Sequence, residues 1–467
     1  MARSGPITHP MSVPLSQPAA ATGPGDLPAG RLLFWSVTSA LAGFLFGFDT
    51  VVISGGEQAI QKLWDLGGAL HGVLMGSALY GTALGSLVGG YLADRFGRKN
   101  VLLAVGVLFV ASAVGCAFSW DVWSFTSFRL IGGLGIGIST VAAPMYISEI
   151  APPAYRGRLA GMFQFNIVFG IVVAYGSNYL LHSIGDTAWR WMLGVAAVPS
   201  LVYSVMCVFI PESPRWLLTR KGDRAGGLEV LRLIQPSATP AELEATADEI
   251  TAAARSHAEA GPFWSRRLRT PILLAFLVAF FNQLSGINAI LYFSKRIFEL
   301  AHLGESAALL QSVGIGLTNL VFTFVGLWLI DRLGRRTLLL IGSIGYIVSL
   351  GLTSWAFFSE QFAIVPYFLF AFIAAHAVGQ GAVIWVLISE VFPNRHRATG
   401  QTLGAFTHWI FAALLTSFFP LMVNAMAPGS IFLFFCGMMG LQLLWVLTMV
   451  PETKGVPLEE MERRLSG

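Results

Sequence analysis

Asp94-Arg95-Phe96-Gly97-Arg98-Lys99 and Asp331-Arg332-Leu333-Gly334-Arg335-Arg336 are one six-residue pattern written twice, 237 positions apart. Each copy closes one apolar run with an acid and a base and opens the next run with two cations. Two further pairs keep nearly the same spacing. Glu149 followed by Arg156 recurs as Glu390 followed by Arg397, and Pro211-Glu212-Ser213 recurs as Pro451-Glu452-Thr453. Three matches at offsets of 237, 241 and 240 describe a duplicated chain. All three fall at the same ends of candidate helices, so the two halves run in the same direction. That is the parallel repeat of a secondary transporter, with its substrate site near mid-membrane between the halves.

Composition agrees with this reading. Of 467 residues, 55% are hydrophobic and 12% charged, against about 45–50% and 25% in an ordinary soluble domain. This excludes a soluble globular enzyme. Apolar runs such as Val101 to Phe118 and Thr337 to Phe358 have the length of bilayer spans, about 20 residues. Hydropathy predicts twelve helices, starting near residues 32, 70, 100, 122, 159, 190, 271, 306, 338, 365, 400 and 430. The expected fold is an all-α polytopic membrane protein of two six-helix halves, residues 31–210 and 271–450. A cytoplasmic linker, 211–270, joins them, with one or two surface helices in its Ala/Glu-rich part, Ala241 to Ala254. Residues 1–30 read as a disordered tail and 451–467 as a cytoplasmic C-terminal tail.

An even number of spans puts both termini on one side. If that side is the cytoplasm, 24 of the 29 basic residues lie in inner segments, as the positive-inside rule requires. The basic residues form no single stripe, so the net charge of +4 does not indicate nucleic acid. Trp264 beside Arg266, Arg267 and Arg269 reads as an interfacial anchor. Cys116, Cys207 and Cys436 sit in separate apolar runs and predict neither a disulfide nor a metal site. The glycines of Gly132 to Gly137 lie within a span with no preceding strand, which excludes a dinucleotide loop. Gly81, Gly85 and Gly89 recur every four residues and permit close helix approach.

From about residue 31 onward the chain resembles a sugar porter of the major facilitator superfamily. The resemblance is carried by Gly90 to Lys99, Arg129-Leu-Ile-Gly-Gly, Glu149 to Leu159, Pro211-Glu-Ser-Pro-Arg-Trp-Leu, Gln283-Leu-Ser-Gly-Ile-Asn288, Asp331 to Arg336 and Pro451-Glu-Thr-Lys-Gly. It implies the major facilitator fold, alternating access, a monosaccharide substrate and a multi-pass place in the cell (inner) membrane. No cofactor or metal is expected beyond a proton as coupling ion, and the chain is expected to act as a monomer in the lipid bilayer.

Only Asp49 and Arg129 read as ionisable residues well inside spans, on the first and fourth helices. Charges there are costly and point to function with a named partner. Both sit roughly 9–10 Å from the outer end at 1.5 Å per residue, so the two can pair. Protonating Asp49 would release Arg129, a two-state element that a proton could bias. The resemblance supports this role, since proton-coupled sugar porters carry an acid at this position and facilitative ones often an amide. Ala196 stands where some proton-coupled relatives carry a further glutamate.

A sugar offers hydroxyls and apolar C–H faces, so its site needs amides and an aromatic platform. Gln164, Asn282, Gln283, Asn288 and Asn319 lie at mid-span depth, with Phe46, Trp385 and Trp409 as aromatic candidates. By resemblance, Gln164, Gln283, Asn288, Asn319 and Trp385 match sugar-contacting positions. Asn282 stands for a common Gln, His408 for Asn or Gln, and His376 for a usual Phe. Asp94, Arg98, Glu149, Arg156 and Glu212, with Asp331, Arg335, Glu390 and Arg397, suit an inner gate that bridges helix ends when the transporter faces outward. Gly379-Gln380-Gly381 stands on the tenth helix where relatives usually have Gly-Pro, and its glycines should still allow a bend. The leading function is proton/monosaccharide symport. A facilitative uniporter and a non-transporting sugar sensor are the alternatives, and no nucleophile–base–acid constellation supports a membrane enzyme.

Overall fold

A computed structural model describes residues 30–152, 155–256 and 262–465. The expected tail over 1–30 lies outside the described residues except for Gly30. Among the described residues every regular element is helical, and twelve helices are long and apolar enough to cross a membrane. Spans 1 to 6 are Gly30–Gly55, Gly68–Phe96, Arg98–Ala117, Val122–Ile150, Gly161–Ile184 and Ala188–Val208. Spans 7 to 12 are Arg266–Tyr292, Glu305–Leu333, Arg335–Phe358, Phe362–Val391, Arg397–Ala425 and Pro428–Met449. Their starts lie within a few residues of the hydropathy reading, because a run of about 20 apolar residues in lipid has to satisfy its backbone internally as a helix.

Spans 1–6 pack together, as do 7–12. Lipid tails are as apolar as leucine, so helices in a bilayer associate through close fit. Span 2 shows how. Its Gly81 and Gly85 press on the backbone of span 4 around Gly133 and Gly137, whose own missing side chains admit the carbonyls of Ala78 and Thr82. The closely spaced glycines of Gly132 to Gly137 therefore serve two helix contacts, Gly133 and Gly137 against span 2 and Gly132 and Gly135 against Ser112 and Leu108 of span 3. The halves meet where span 2 packs on span 11 and span 5 on span 8. The Tyr175 hydroxyl of span 5 donates to the Leu291 carbonyl of span 7 at 2.8 Å.

The linker carries helices Arg224–Ile234 and Pro240–Ser256, the second covering the Ala/Glu-rich stretch. They share a small apolar core of Leu231, Leu243 and Ala247 with Leu218. A last helix, Leu458–Leu465, is tied back through Glu462, which pairs with Arg267 at 2.8 Å and Arg395 at 3.3 Å.

Candidate functional site

Asp49 and Arg129 meet inside the first half. Arg129 Nη1 donates to Asp49 Oδ1 at 2.8 Å, and its Nη2 reaches the Asp49 carbonyl at 3.4 Å. The arginine side chain is 1% exposed and the aspartate 12%. Asp49 Oδ2 is buried and has no hydrogen-bond partner among the described residues. One carboxylate oxygen thus holds the arginine while the other is open to a proton. Matching depth on spans 1 and 4 produces the contact that the spacing anticipates.

The polar set of the second half gathers around a break in span 7. Its first helix ends at Leu284, and Gly286, at φ +87°, starts another, Ile287–Tyr292. Broken helices occur at membrane depth where they are buried in protein or line a cavity, and a discontinuous span is a transporter's usual way of building a midplane site. Gln283 stands before the break and Asn288 after it. The Asn288 amide donates to Gln283 Oε1 at 2.6 Å, and the Gln283 amide donates to Asn282 Oδ1 at 2.9 Å. That same nitrogen lies 3.1 Å from both ring nitrogens of His408. The His408 ring lies 5.2 Å from Trp385 and 4.5 Å edge-on from Trp409. Trp409 meets Phe46 of span 1 at 5.4 Å, so the chain of contacts crosses between the halves.

Seven of the ten residues proposed for substrate are joined in this way: Phe46, Asn282, Gln283, Asn288, Trp385, His408 and Trp409. Among the described residues no hydrogen bond or ring contact joins Gln164, Asn319 or His376 to them. Gln164, on span 5, is half-buried with no hydrogen-bond partner among the described residues. Asn319 on span 8 accepts from the Thr323 hydroxyl at 3.5 Å. His376 Nδ1 lies 2.6 Å from the Tyr346 hydroxyl of span 9. Span 10 then takes a π turn over Ala377–Gly381, an irregularity of the kind at which helices kink. Gln380 donates to Gln442 Oε1 at 2.6 Å, which anchors the bulge to span 12.

At the basic end of the bundle the duplicated motifs build two copies of one joint. Gly97 and Gly334 turn at φ +91° and +93°, a region that costs other residues. Each opens a helix whose first N–H groups face a glutamate from the end of the same half. Glu212 Oε1 accepts from Arg98 at 2.8 Å and Lys99 at 3.1 Å. Glu452 accepts from Arg335 at 2.9 Å and Arg336 at 3.1 Å. A carboxylate at a helix N-terminus is stabilised by those donors and by the helix dipole. Burial raises Glu212 above the ordinary carboxylate range, against the lowering effect of the N–H groups of Ser213, Lys99 and Arg98. Arg98 then forks onto Glu149 at 2.9 and 3.0 Å, and Arg335 onto Glu390 at 3.0 and 2.8 Å.

The gate residues are thus brought together, but in two groups, one per half. Asp94 also pairs with Arg220 of the linker at 2.6 Å. Among the described residues no ion pair at this end joins the two halves. The Arg156 side chain lies outside the described set, and Arg397 has no ion pair within it.

The opposite end holds what the sequence reading missed. Glu57, just past span 1, is fully buried. Its carboxylate takes a two-pronged contact from Arg296 of the second half at 2.8 and 2.9 Å, and His71 Nε2 of span 2 lies at 2.8 Å. Arg296 also donates to Gln61, and Gln58 donates to Glu299 at 2.6 Å. These groups stand beside loops in the sequence, where charge is ordinary. The available signal is that Lys295 and Arg296 are two of the few basic residues off the basic side, at the same end as Glu57.

The family model described as "Sugar (and other) transporter" matches residues 35–465. The arabinose-proton symporter of Bacillus subtilis is 33% identical over 93% of this chain and 95% of that protein. The D-xylose-proton symporter of Escherichia coli is 32% identical over 91% and 94%. Among solved structures, the partially occluded inward open conformation of the xylose transporter XylE from E. coli superposes with TM-score 0.82 and 29% identity, over 92% of this chain and all of that one. XylE bound to 6-bromo-6-deoxy-D-glucose superposes at 0.77 and 30% identity, over 93% and 99%. With twelve candidate spans among the described residues and a family match over residues 35–465, the chain belongs to the sugar transporter family, as a membrane transporter and not an enzyme.

Proposed function

We propose that this protein imports a monosaccharide, a hexose or pentose, together with a proton by alternating access, as a monomer that needs no cofactor. The observation that carries the proposal is the Asp49–Arg129 pair. It is buried, holds one carboxylate oxygen and leaves the other open. When Asp49 is ionised the pair is neutral; when it takes a proton, Arg129 loses its partner and seeks new contacts. A proton thereby changes the relative free energy of two arrangements, which is all that coupling requires. The named relatives that couple arabinose or xylose to protons support the same assignment.

Sugar recognition belongs to the amides and rings around the span 7 break. Neutral amides both donate and accept, and they cost less than charges to hold in a bilayer. Asn282, Gln283 and Asn288 hydrogen-bond to one another, so sugar hydroxyls would exchange into bonds of the same kind. His408 and Trp385 supply the aromatic side. The basic end is read as cytoplasmic by the positive-inside rule, with both termini there. Ion pairs confined to each half at that end, with the buried Glu57–Arg296 pair across the other, fit a carrier open to the cytoplasm.

Purified protein in proteoliposomes tests the reading. Adding substrate outside should make the external medium more alkaline as protons enter with sugar. Sugar uptake without that signal in the wild-type protein would rule out proton coupling.

A further inference from the structure

We infer that Glu57, Arg296 and His71 are residues of the transport cycle, forming an outer lock that holds the carrier closed to the outside. The inference rests on the transport reading and adds a task that none of the sequence motifs assigns. Glu57 belongs to the first half and Arg296 to the second, so their contact spans the interface that alternating access has to open. Both Glu57 oxygens are engaged, Oε1 by Arg296 Nε and Oε2 by Arg296 Nη2 and His71 Nε2. The Glu57 and His71 side chains are 0% exposed and Arg296 12%. Phe293 packs edge-on against His71 at 6.3 Å, and Gln58–Glu299 forms a second bridge between the same segments.

A buried ion pair suits a reversible lock for a physical reason. The desolvation of two charges nearly offsets their attraction, so a complete pair holds the closed state with little net free energy. Removing one partner is different, because the other charge then stays buried and alone for as long as the outside is shut. In the open state that charge is hydrated. A single neutralisation therefore pushes the carrier outward, whereas neutralising both partners lets it close again. A static strut would not show that reversal.

The test uses Glu57→Gln and the double variant Glu57→Gln/Arg296→Met. Cys116, Cys207 and Cys436 are replaced by alanine, and spin labels are placed at Leu63 and Ser306 on the outer ends of the two halves. Without sugar, pulsed electron-spin distances should lengthen in Glu57→Gln and return towards the wild-type distribution in the double variant. In transport, Glu57→Gln should lower the external KM about tenfold, as the outward fraction rises from roughly a tenth to most of the population, and turnover should fall with it. Wild-type distances and an unchanged KM in Glu57→Gln, with only a lowered melting temperature, would overturn the lock. Should Glu57→Gln not fold, Arg296→Met removes the other charge of the pair and is read the same way: a lower external KM supports the lock and an unchanged KM overturns it. The distances are read without substrate, so they decide the lock even if the transport reading fails.

Discussion

The two halves share their ends and differ at their middles. At the basic end each half repeats one joint: a positive-φ glycine, a capping glutamate and an arginine forked onto a second glutamate. Away from that end the first half holds a buried charge pair, Asp49 with Arg129, and the second holds amides, histidines and tryptophans. On the proposed reading, the repeated joints serve what both halves must do, which is to rock at the same end. The tasks that differ were divided. On the proposed reading, proton handling falls to the first half and most of sugar recognition to the second, with Phe46, against Trp409, as the first half's contribution.

Arg129→Gln breaks the comparison most severely. Asp49 is left buried without its counter-charge, a loss of about 3–5 kcal/mol for a broken buried pair, unless it protonates and stays so. A large drop in melting temperature together with loss of coupled uptake is expected. A stable variant that still concentrates sugar would mean that the pair does no coupling.

His376→Phe probes the second half. It removes the ring nitrogen 2.6 Å from the buried Tyr346 hydroxyl, a loss of about 0.5–1.5 kcal/mol for one hydrogen bond, with Ser285 left beside that hydroxyl. Competition by glucose, galactose, xylose and fructose should re-rank by about tenfold, and Tyr346→Phe added to it should recover stability. An unchanged ranking would remove His376 from selection.

The two joints are also not equal, and this gives the smallest expected effect. Asp331 is 81% exposed and, among the described residues, pairs only with Arg335 four residues on, whereas Asp94 is 37% exposed and also pairs with Arg220 of the linker. Asp331→Asn should change stability and transport rate by no more than about 0.5 kcal/mol. Asp94→Asn should change both by more, since it also frees the linker. Equal effects would mean that the linker contact carries no part of the gate.

Most of the fold was legible in the sequence, because lipid leaves a long apolar run few alternatives to a helix and the repeat sets the halves. The Asp49–Arg129 contact was legible from depth alone. The capping role of Glu212 and Glu452 was not, since residues more than a hundred apart meet only once the half is closed. Tyr346 reads as ordinary core in an apolar span, and only its position opposite His376 gives it a role. Glu57, His71 and Arg296 were missed because helix ends normally carry charge, and burial there is a property of the conformation. For the same reason the sequence could anticipate gate ion pairs but not that, in this state, they stay within each half.

The division of labour is tested most directly in one preparation of Asp49→Asn, by measuring both proton-driven accumulation and sugar-for-sugar exchange in proteoliposomes. With the second half intact, exchange should persist near the wild-type rate while accumulation against a gradient falls to simple equilibration. Accumulation that survives in Asp49→Asn would contradict the account, as would exchange lost along with it in a variant that remains folded.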